Sequence, residues 1–425
     1  MTQRQPKFER RRGGRRLRMT ALFIFAASGA LADWRSPPAA GAPPAQPSAT
    51  AADRLFVARR GDAFVLGDRP FRVAGVNIHY LPWGSRDEVT RALDDAVAMR
   101  ANVVRTFVAP IIGSPDGSTP TIWNWASKAD ASNLGVNGAY MAYWDAQSRS
   151  MAINEGDSGL KRIDFILAEA AKRRLRVILA FLDFWSYTGG APQMQAWRGL
   201  SNGPGVFAEN PDTRSDYKRL VEALVNRTNS VSGVRYKDDP TLFAWELMNE
   251  PDIHPTSLFR AWVGEMAAYV KSLDSRHLLA SGQGSMQTRL VELNDRNIDF
   301  GTWHGYPEYQ RISAEAFKRE IADFCDLAQS YGKPVLLEEF GLAQPDEVRG
   351  GVYSDWLSSL RRNAHCAGWV AWRLVSRQDG GALPYDHDGF DIHNDDGTTW
   401  RVLHDAALAL TADNGSRRSA QGERN

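Results

Sequence analysis

The sequence predicts an α/β protein built as a single (β/α)8 TIM barrel, and two observations support this class. Eight short apolar runs of strand type occur between residues 54 and 413, and helical patterns alternate with them. Such alternation is typical of parallel sheets whose strands are joined by helices. The chain has 425 residues, and a barrel of this kind takes about 250 or more. Eight strand–helix units therefore favour a closed barrel over an open sheet.

The eight predicted strands are apolar runs bounded by polar or turn-forming residues. They are Phe71–Asn77, Asn102–Phe107, Arg176–Leu182, Leu242–Leu247, His277–Ser281, Ile298–Thr302, Pro334–Glu339 and Gly368–Leu374. Apolar residues at helical spacing predict the helices that follow. These are Arg86–Arg100, Leu160–Arg173, Thr213–Asn229, Leu258–Leu273, Ala314–Ser330, Tyr353–Ala364 and a last one at about Thr399–Leu410. The fifth crossover, near Met286–Leu293, has the weakest helical pattern.

The distribution of charge argues against a nucleic-acid surface. The formal net charge is +1, but residues 1–18 hold eight Arg or Lys and one Glu, so the remainder is mildly acidic. An acidic body lacks the basic patch that binds a phosphate backbone. We therefore expect no nucleic-acid partner. We also expect a monomer.

The N-terminus has the organisation of a secretory signal. The basic segment Arg10–Arg18 precedes the apolar run Met19–Leu31, and Ala30-Leu31-Ala32 fits a small-x-small cleavage pattern. The apolar run is too short to cross a bilayer as a stable helix. We predict a signal segment over residues 1–32 and a secreted or periplasmic protein without stable membrane insertion. The alternatives are a disordered basic tail, or a true start at Met19.

Composition divides the rest of the chain into three parts. Residues 33–53 are rich in Pro and Ala, which predicts a semi-rigid linker. Residues 54–413 show no second low-complexity break and are predicted to form the barrel domain. Residues 414–425 are polar and are predicted to be a disordered tail.

The chain contains two cysteines, Cys325 and Cys366, each in a helical pattern. An exported protein can pair them, but two buried free thiols fit the sequence as well. Two cysteines do not make a metal site of the usual kind.

Two strand ends carry residues that a hydrophobic core does not require. The fourth predicted strand, Leu242–Leu247, is followed by Asn249, Glu250 and Pro251, and the seventh closes on Glu339. In a parallel barrel the carboxyl ends of all strands meet on one face, where the site is built. Two carboxyl groups that face one bond are what glycoside hydrolysis needs.

Polar and aromatic side chains also collect at the other strand ends. Six of the eight ends carry His, Arg, Asn, Glu or Trp, which we interpret as one site rather than as ordinary rim polarity. The candidate catalytic pair is Glu250 and Glu339, and the candidate substrate-binding residues are Arg105, Asn249, His304, Tyr306, Trp372 and Trp185. Trp372 has a second interpretation as a core residue, although indole also suits the floor of a sugar subsite.

Arg105 lies within an apolar strand, where a charged side chain is costly unless it is paired. We expect Glu339 to be its partner, which would keep Glu339 ionised; a structural ion pair elsewhere in the barrel is the alternative. A charged Glu339 would raise the pKa of Glu250, as a general acid requires. His304 and Tyr306 lie two residues apart and face one side of a strand end, so we expect both to hold Glu339.

Two further carboxylates compete for the catalytic roles. Strand alternation places Glu338 on the face opposite Glu339, toward the helices or a salt bridge. Asp183 follows the third predicted strand. We therefore keep Glu250 and Glu339 as the candidate pair, with Asp183 and Glu338 as competitors.

The segments around both glutamates resemble a known family. Trp245-Glu-Leu-Met-Asn-Glu-Pro251 and Glu339-Phe-Gly are similar to the two catalytic signatures of glycoside hydrolase family 5. Three further segments and the stretch that leads into the first signature resemble the endo-β-1,4-mannanases of that family: Gly189–Trp197, Asn226–Pro251, Asp299–Pro307 and Asp388–Phe390. The resemblance covers roughly residues 55–410.

The resemblance implies a role for each matching residue. Glu250 would be the acid/base, Glu339 the nucleophile, and Asn249 the ligand of the sugar 2-hydroxyl. Arg105, His304, Tyr306 and Trp372 would complete the site, with Trp185 beside it. The implied activity is retaining, endo-acting hydrolysis of β-1,4-mannosidic bonds in mannan, glucomannan or galactomannan, by double displacement on a polysaccharide or oligosaccharide. No cofactor and no metal are implied.

Three positions depart from the mannanase pattern. Asp252 follows Asn-Glu-Pro where arginine is common, Asp183 replaces an asparagine at the third strand end, and Phe107 stands where tryptophan is frequent. These departures keep two alternatives open. One is a hydrolase or transglycosylase that uses the same mechanism on another β-glycan. The other is a catalytically weak sugar-binding barrel, in which both glutamates would have no purpose.

Overall fold

The computed structural model describes residues 55–122, 131–285, 288–384, 386 and 388–416. The predicted signal segment and linker lie outside these residues, as does the tail from residue 417. The first three residues of the predicted tail are helical, because the last helix continues to Ser416. No helix in the described ranges is long and apolar enough to cross a membrane.

Fifteen strands occur in the described residues. They are β1 (Val57–Arg60), β2 (Ala63–Leu66), β3 (Arg69–Pro70), β4 (Val73–Asn77), β5 (Val103–Phe107), β6 (Ala131–Ser132), β7 (Gly135–Val136), β8 (Ala142–Asp145), β9 (Ser150–Ile153), β10 (Arg176–Ala180), β11 (Leu242–Glu246), β12 (Leu278–Ala280), β13 (Gly301–Gly305), β14 (Val335–Phe340) and β15 (Cys366–Ala371).

Eleven α-helices accompany them in the same ranges. They are α1 (Arg86–Ala98), α2 (Lys161–Lys172), α3 (Gly190–Trp197), α4 (Val206–Glu209), α5 (Pro211–Val225), α6 (Thr256–Leu273), α7 (Arg289–Asn294), α8 (Pro307–Gln310), α9 (Ala314–Tyr331), α10 (Asp346–Arg362) and α11 (Thr398–Ser416). Ser85 begins α1 with a capping box, in which its side chain accepts from the Glu88 N–H and Glu88 accepts from the Ser85 N–H.

Eight of the strands form one parallel sheet in the order β12-β11-β10-β5-β4-β15-β14-β13. Each strand therefore lies beside its chain neighbour, and the first barrel strand pairs with the last, as in a (β/α)8 barrel. The two outer strands approach each other just before β13, where the Asp299 N–H donates to the carbonyl of Leu279 in β12 at 2.8 Å. The predicted fold class is confirmed, and all eight predicted strands occur.

The side chains of the barrel strands divide between two cores. Outward residues such as Val104 and Leu337 pack under the helices, whereas inward residues such as Val103 and Leu336 fill the barrel. The small antiparallel sheet β1–β3 adds Phe64 to this inner core, with its ring 5.1 Å from that of Phe243. The sequence prediction missed this sheet, because its strands are only two to four residues long.

Some predicted boundaries are wrong. The sixth barrel strand runs over Gly301–Gly305 rather than Ile298–Thr302, so that His304 lies inside the strand instead of beyond it. Helix α10 begins at Asp346, seven residues before the prediction, because Gly350 and Gly351 interrupt the apolar pattern that marks a helix. In the described part of the weak fifth crossover, a helix runs over Arg289–Asn294.

The two cysteines form a disulfide bond, with Cys325 on α9 and Cys366 on β15. Cys366 is therefore in a strand and not in a helix as predicted. Both residues are buried. The bond joins the helix that packs outside the barrel to the last barrel strand across 41 residues of sequence.

We expect the double substitution Cys325→Ala and Cys366→Ala to lower the free energy of unfolding by about 4 kcal/mol, because the unfolded chain loses a closed loop of 41 residues. Urea denaturation of the oxidised protein measures this difference. Reductant should bring the unsubstituted protein to the value of the variant and leave the variant unchanged. Equal stability of the variant and the oxidised protein would contradict the prediction.

Candidate active site

The two candidate glutamates lie together at the carboxyl end of the barrel. Glu339 is the penultimate residue of β14, and Glu250 lies four residues beyond the end of β11. The chain beyond β11 is held on both sides, since the Asn249 N–H donates to the Leu182 carbonyl and the Glu250 N–H to that of Gly282. Glu250 has a left-handed backbone (φ +48°), which is uncommon for a residue with a side chain. Such backbone strain is concentrated at functional sites.

Arg105 is the buried cation that joins these strand ends. Its Nη1 donates to Glu339 Oε1 at 2.6 Å, which confirms the predicted pair. Its Nε and Nη2 also bind both oxygens of Glu246 at 2.7 and 2.6 Å, a bidentate contact that the prediction missed. The same guanidinium donates to the side-chain oxygens of Asn249 (2.8 Å) and Asn77 (3.0 Å). All three nitrogens of the Arg105 guanidinium therefore donate hydrogen bonds to carboxylate or amide oxygens.

Three side chains hold the two candidate catalytic carboxylates from the cleft side. Tyr306 donates its hydroxyl to Glu339 Oε2 at 2.5 Å, as expected. His304 Nδ1 lies 2.6 Å from Glu250 Oε1 and 3.4 Å from Glu339 Oε2. The prediction that His304 holds Glu339 is therefore wrong in its main contact, which is with Glu250. Trp185 Nε1 donates to the other oxygen of Glu250 at 2.6 Å.

The electrostatics of the free site differ from the sequence prediction. Burial favours the neutral form of Glu250, but the hydrogen bond and charge of His304, with the bond from Trp185, outweigh it and hold the pKa below its usual value. Burial raises the pKa of Glu339, although His304 and Arg105 oppose the shift. The order of the two pKa values is therefore the reverse of the predicted one, because His304 pairs with Glu250.

Glu338 does not face the helices as strand alternation predicts. It is fully buried inside the barrel, with Oε2 3.6 Å from His304 Nε2 and Oε1 3.8 Å from Arg105 Nε. The ladder between β13 and β14 shifts register between Trp303 and His304. Leu337 and Phe340 belong to the outer core, so the two glutamates between them both lie toward the interior.

Asp183 is a second buried carboxyl group near the pair. Its Oδ1 accepts hydrogen bonds from Asn249 Nδ2 at 2.9 Å and from the Trp185 N–H at 3.2 Å. Burial raises the pKa of Asp183 to about 7, and the charges of Glu250 and Glu339 add to the shift. Asp183 therefore orients Asn249 rather than facing the space between the two glutamates.

Two tryptophans lie at the edge of the site. Trp185 is 37% exposed beside Glu250, where a sugar ring can reach it. Trp372 is half-buried, stacks on His79 with ring centroids 5.0 Å apart and donates to Asp388 Oδ2 at 3.2 Å. Its intermediate burial is compatible with the floor of a subsite and is less than that of a core tryptophan such as Trp369.

Two groups of side chains have the spacing of cation ligands within the described residues. One is Glu250, His304 and Glu339, whose ligand atoms lie within 4.8 Å of one another, and the other is Asp386, Asp388 and Asp391. In the first group, each carboxylate already accepts hydrogen bonds from protein donors. In the second, three of the six carboxylate oxygens accept backbone N–H groups of the same loop. The absence of a metal stays a prediction.

The structure thus brings most of the predicted residues into one hydrogen-bonded network: Arg105, Trp185, Asn249, Glu250, His304, Tyr306 and Glu339. Sequence reasoning missed Glu246 as part of it. The sequence does carry a signal for Glu246. It is a glutamate inside an apolar strand, and it lies two residues after another inward-facing residue.

Comparisons with known proteins show which family the chain resembles. The family model described as GH family 5 beta-mannosidase-like matches residues 149–355. Mannan endo-1,4-beta-mannosidase 7 of Arabidopsis thaliana is 31% identical over 370 residues, covering 75% of this chain and 78% of the relative. Mannan endo-1,4-beta-mannosidase 1 of Oryza sativa subsp. japonica is 28% identical over 371 residues, covering 75% and 78%.

Solved structures give the same result. The endo-1,4-beta-mannanase from Rhizomucor miehei superposes with a TM-score of 0.72 at 28% identity, covering 84% of this chain and 99% of that structure. The fold and the site define an enzyme of the glycoside hydrolase class. The chain belongs to glycoside hydrolase family 5, as its similarity to the mannan endo-1,4-beta-mannosidases shows.

We expect Arg105→Met to lower the free energy of unfolding by about 3–5 kcal/mol, because it leaves the Glu246 and Glu339 carboxylates buried without their cation. Urea denaturation at neutral pH measures the change. Arg319→Met is the control, since its guanidinium is exposed and lies 3.8 Å from Glu315, where an ion pair contributes little. Equal losses in the two variants would contradict the prediction.

Proposed function

We propose that this protein is an endo-acting β-glycosidase that hydrolyses β-1,4-mannosidic bonds with retention of configuration. The observation that carries the proposal is the short separation of Glu250 and Glu339, whose oxygens approach within 4.8 Å. Retaining glycosidases place two carboxyl groups about 5–5.5 Å apart, whereas inverting enzymes separate them by about 6.5–9.5 Å. The space between these two glutamates fits direct attack better than an intervening water.

In the first step Glu339 attacks the anomeric carbon and the leaving oxygen takes a proton from Glu250. Arg105 and Tyr306 donate to opposite oxygens of Glu339, which fixes the carboxylate plane before the substrate arrives. Asn249 is fixed in turn by Arg105 and Asp183, so that it is positioned to bind a sugar hydroxyl. In the second step Glu250 takes a proton from a water molecule. The oxygen of that water attacks the anomeric carbon and displaces Glu339 from the sugar.

Glu250 requires a proton before the first step, although the free site favours its charged form. The nearest proton donor is the imidazolium of His304, whose Nδ1 lies 2.6 Å from Glu250 Oε1. A sugar in the cleft excludes water from the 28% of Glu250 that is exposed, and this favours the neutral carboxyl group. The proton then passes from His304 to Glu250 along a bond that already exists.

Mannan, glucomannan or galactomannan is the proposed substrate because the relatives are named as mannan endo-1,4-beta-mannosidases. The rim of the site differs from the mannanase pattern at Asp252, which is exposed and pairs with His254 at 2.8 Å. This difference keeps a second β-glycan, or transfer to another sugar, as the alternative. We further propose residues 54–413 as the catalytic domain, and secretion or periplasmic export as a monomer, from the sequence patterns.

A panel of polysaccharides tests the proposal. We expect the purified protein to release short mannose oligomers early from glucomannan and galactomannan, and to leave cellulose, xylan and mixed-linkage β-glucan intact. Proton NMR of the first products should show the β-anomer, as retention requires. Activity on a glucan alone would overturn the substrate, and a first product in the α-configuration would overturn the mechanism.

Substitution of the two glutamates tests their roles separately. We expect Glu339→Gln to abolish turnover, and Glu250→Gln to lower kcat/KM on mannan by about 10²–10⁴-fold because general acid catalysis is lost. An aryl mannoside with an acidic leaving group needs no proton, so Glu250→Gln should retain a rapid first step on it. Glu315→Gln, on the exposed side of α9, is the control and should match the unsubstituted enzyme. Full activity of Glu339→Gln would contradict the assignment.

A further inference from the structure

A third carboxylate, Glu338, lies beneath the catalytic pair and has no role in the reaction described above. Its side chain is fully buried, and neither of its oxygens accepts a hydrogen bond from the described residues. A buried carboxylate without a hydrogen bond is costly and rarely retained without reason. Glu338 therefore requires a nearby positive charge.

Two cations flank Glu338, and they are not equally available. Arg105 Nε lies 3.8 Å from Glu338 Oε1, but the same guanidinium makes its short hydrogen bonds to Glu246 and Glu339. His304 Nε2 lies 3.6 Å from Glu338 Oε2 and has no hydrogen-bond partner among the described residues. Both distances are too long for hydrogen bonds and short enough for ion pairs. His304 is thus the cation whose second nitrogen is free for Glu338.

His304 faces carboxylates through both ring nitrogens. Nδ1 lies against Glu250 and Glu339, and Nε2 points toward Glu338. Only the imidazolium form carries a proton on each nitrogen. Burial by itself lowers the pKa of His304, but the three carboxylates outweigh it and raise the pKa to about 10.

The other titratable groups around His304 and Glu338 do not take the place of Glu338 beside His304 Nε2. They are Arg105 on β5, Glu246 on β11, Glu250 beyond it, Glu339 on β14 and Glu292 on α7. Glu246 is bound at both oxygens by Arg105. Burial raises the pKa of Glu292 to about 8, so it is largely neutral at pH 7. Glu338 is the carboxylate that approaches the inner nitrogen of His304.

We propose that Glu338 is a positioning residue, which keeps His304 doubly protonated and so maintains the proton that His304 shares with Glu250. Glu338 acts through His304 and does not reach the cleft itself. This inference rests on the proposed function for its catalytic consequence, but the protonation of His304 is independent of any substrate. If the charge of Glu338 is removed, the pKa of His304 falls, and His304 loses its second proton at a lower pH.

The first test is a titration of His304 by NMR with ¹⁵N-labelled histidine, in which His304→Gln assigns the signal. We expect the His304 pKa in Glu338→Gln to fall by about 1–3 units, the range expected for loss of an adjacent opposite charge. Glu292→Gln is the matched control, because Glu292 is equally buried and bonds Ser281 and Gln283 rather than His304. It should leave the His304 pKa unchanged.

The second test is the pH dependence of kcat/KM on whichever polysaccharide the enzyme hydrolyses. The alkaline limb should move to lower pH by about 1–3 units in Glu338→Gln, and Glu338→Asp, which keeps the charge, should restore most of the shift. A merely structural role would lower kcat at every pH without moving the limb.

Three results would overturn the inference. The first is a His304 that titrates near its ordinary pKa in the unsubstituted protein, which needs no folded variant to observe. The second is an unchanged His304 pKa in Glu338→Gln, and the third is an equal change in Glu292→Gln. If no polysaccharide is hydrolysed, the proposed function fails while the titration still decides the role of Glu338.

Discussion

The guanidinium of Arg105 is the interaction on which the site depends. It lies fully buried in the middle of β5 and binds the side-chain oxygens of Glu246, Glu339, Asn249 and Asn77. These partners come from β4, from β14 and from β11 with the chain just beyond it, so one planar cation on β5 fixes the relative positions of four strands. A fork of five N–H donors can satisfy several planar acceptors at once, which lysine cannot do.

The barrel explains why so many charges occur in one small volume. Parallel strands bring all their carboxyl ends to one face, and the inner core of Val, Leu and Phe residues excludes water below that face. In such surroundings each charge needs a partner, and there are more carboxyl groups than cations. The negative charge is reduced in two ways. Arg105 and His304 neutralise those nearest the cleft, whereas burial keeps Glu292 protonated at neutral pH.

His304 links the buried carboxyl groups inside the barrel to the candidate catalytic residue Glu250. It touches Glu250 on the cleft side and faces Glu338 on the inner side. This contact holds the pKa of Glu250 below its usual value, so in the proposed mechanism its acid function depends on a proton from His304. The pKa of the proposed general acid is then a property of a group of coupled residues rather than of one carboxyl group.

The sequence by itself determined the fold class and the positions of all eight barrel strands to within a few residues, and it indicated the two candidate glutamates, because period, length and strand-end chemistry are local properties. It also indicated Arg105, whose charge within an apolar strand demands a carboxylate. Only the tertiary structure decided that Glu246 is the second carboxylate partner of Arg105, why Glu338 faces inward and which glutamate His304 holds. These outcomes depend on the register between β13 and β14 and on contacts between strands far apart in the chain. The pairing of Cys325 with Cys366 likewise required the packing of α9 against β15.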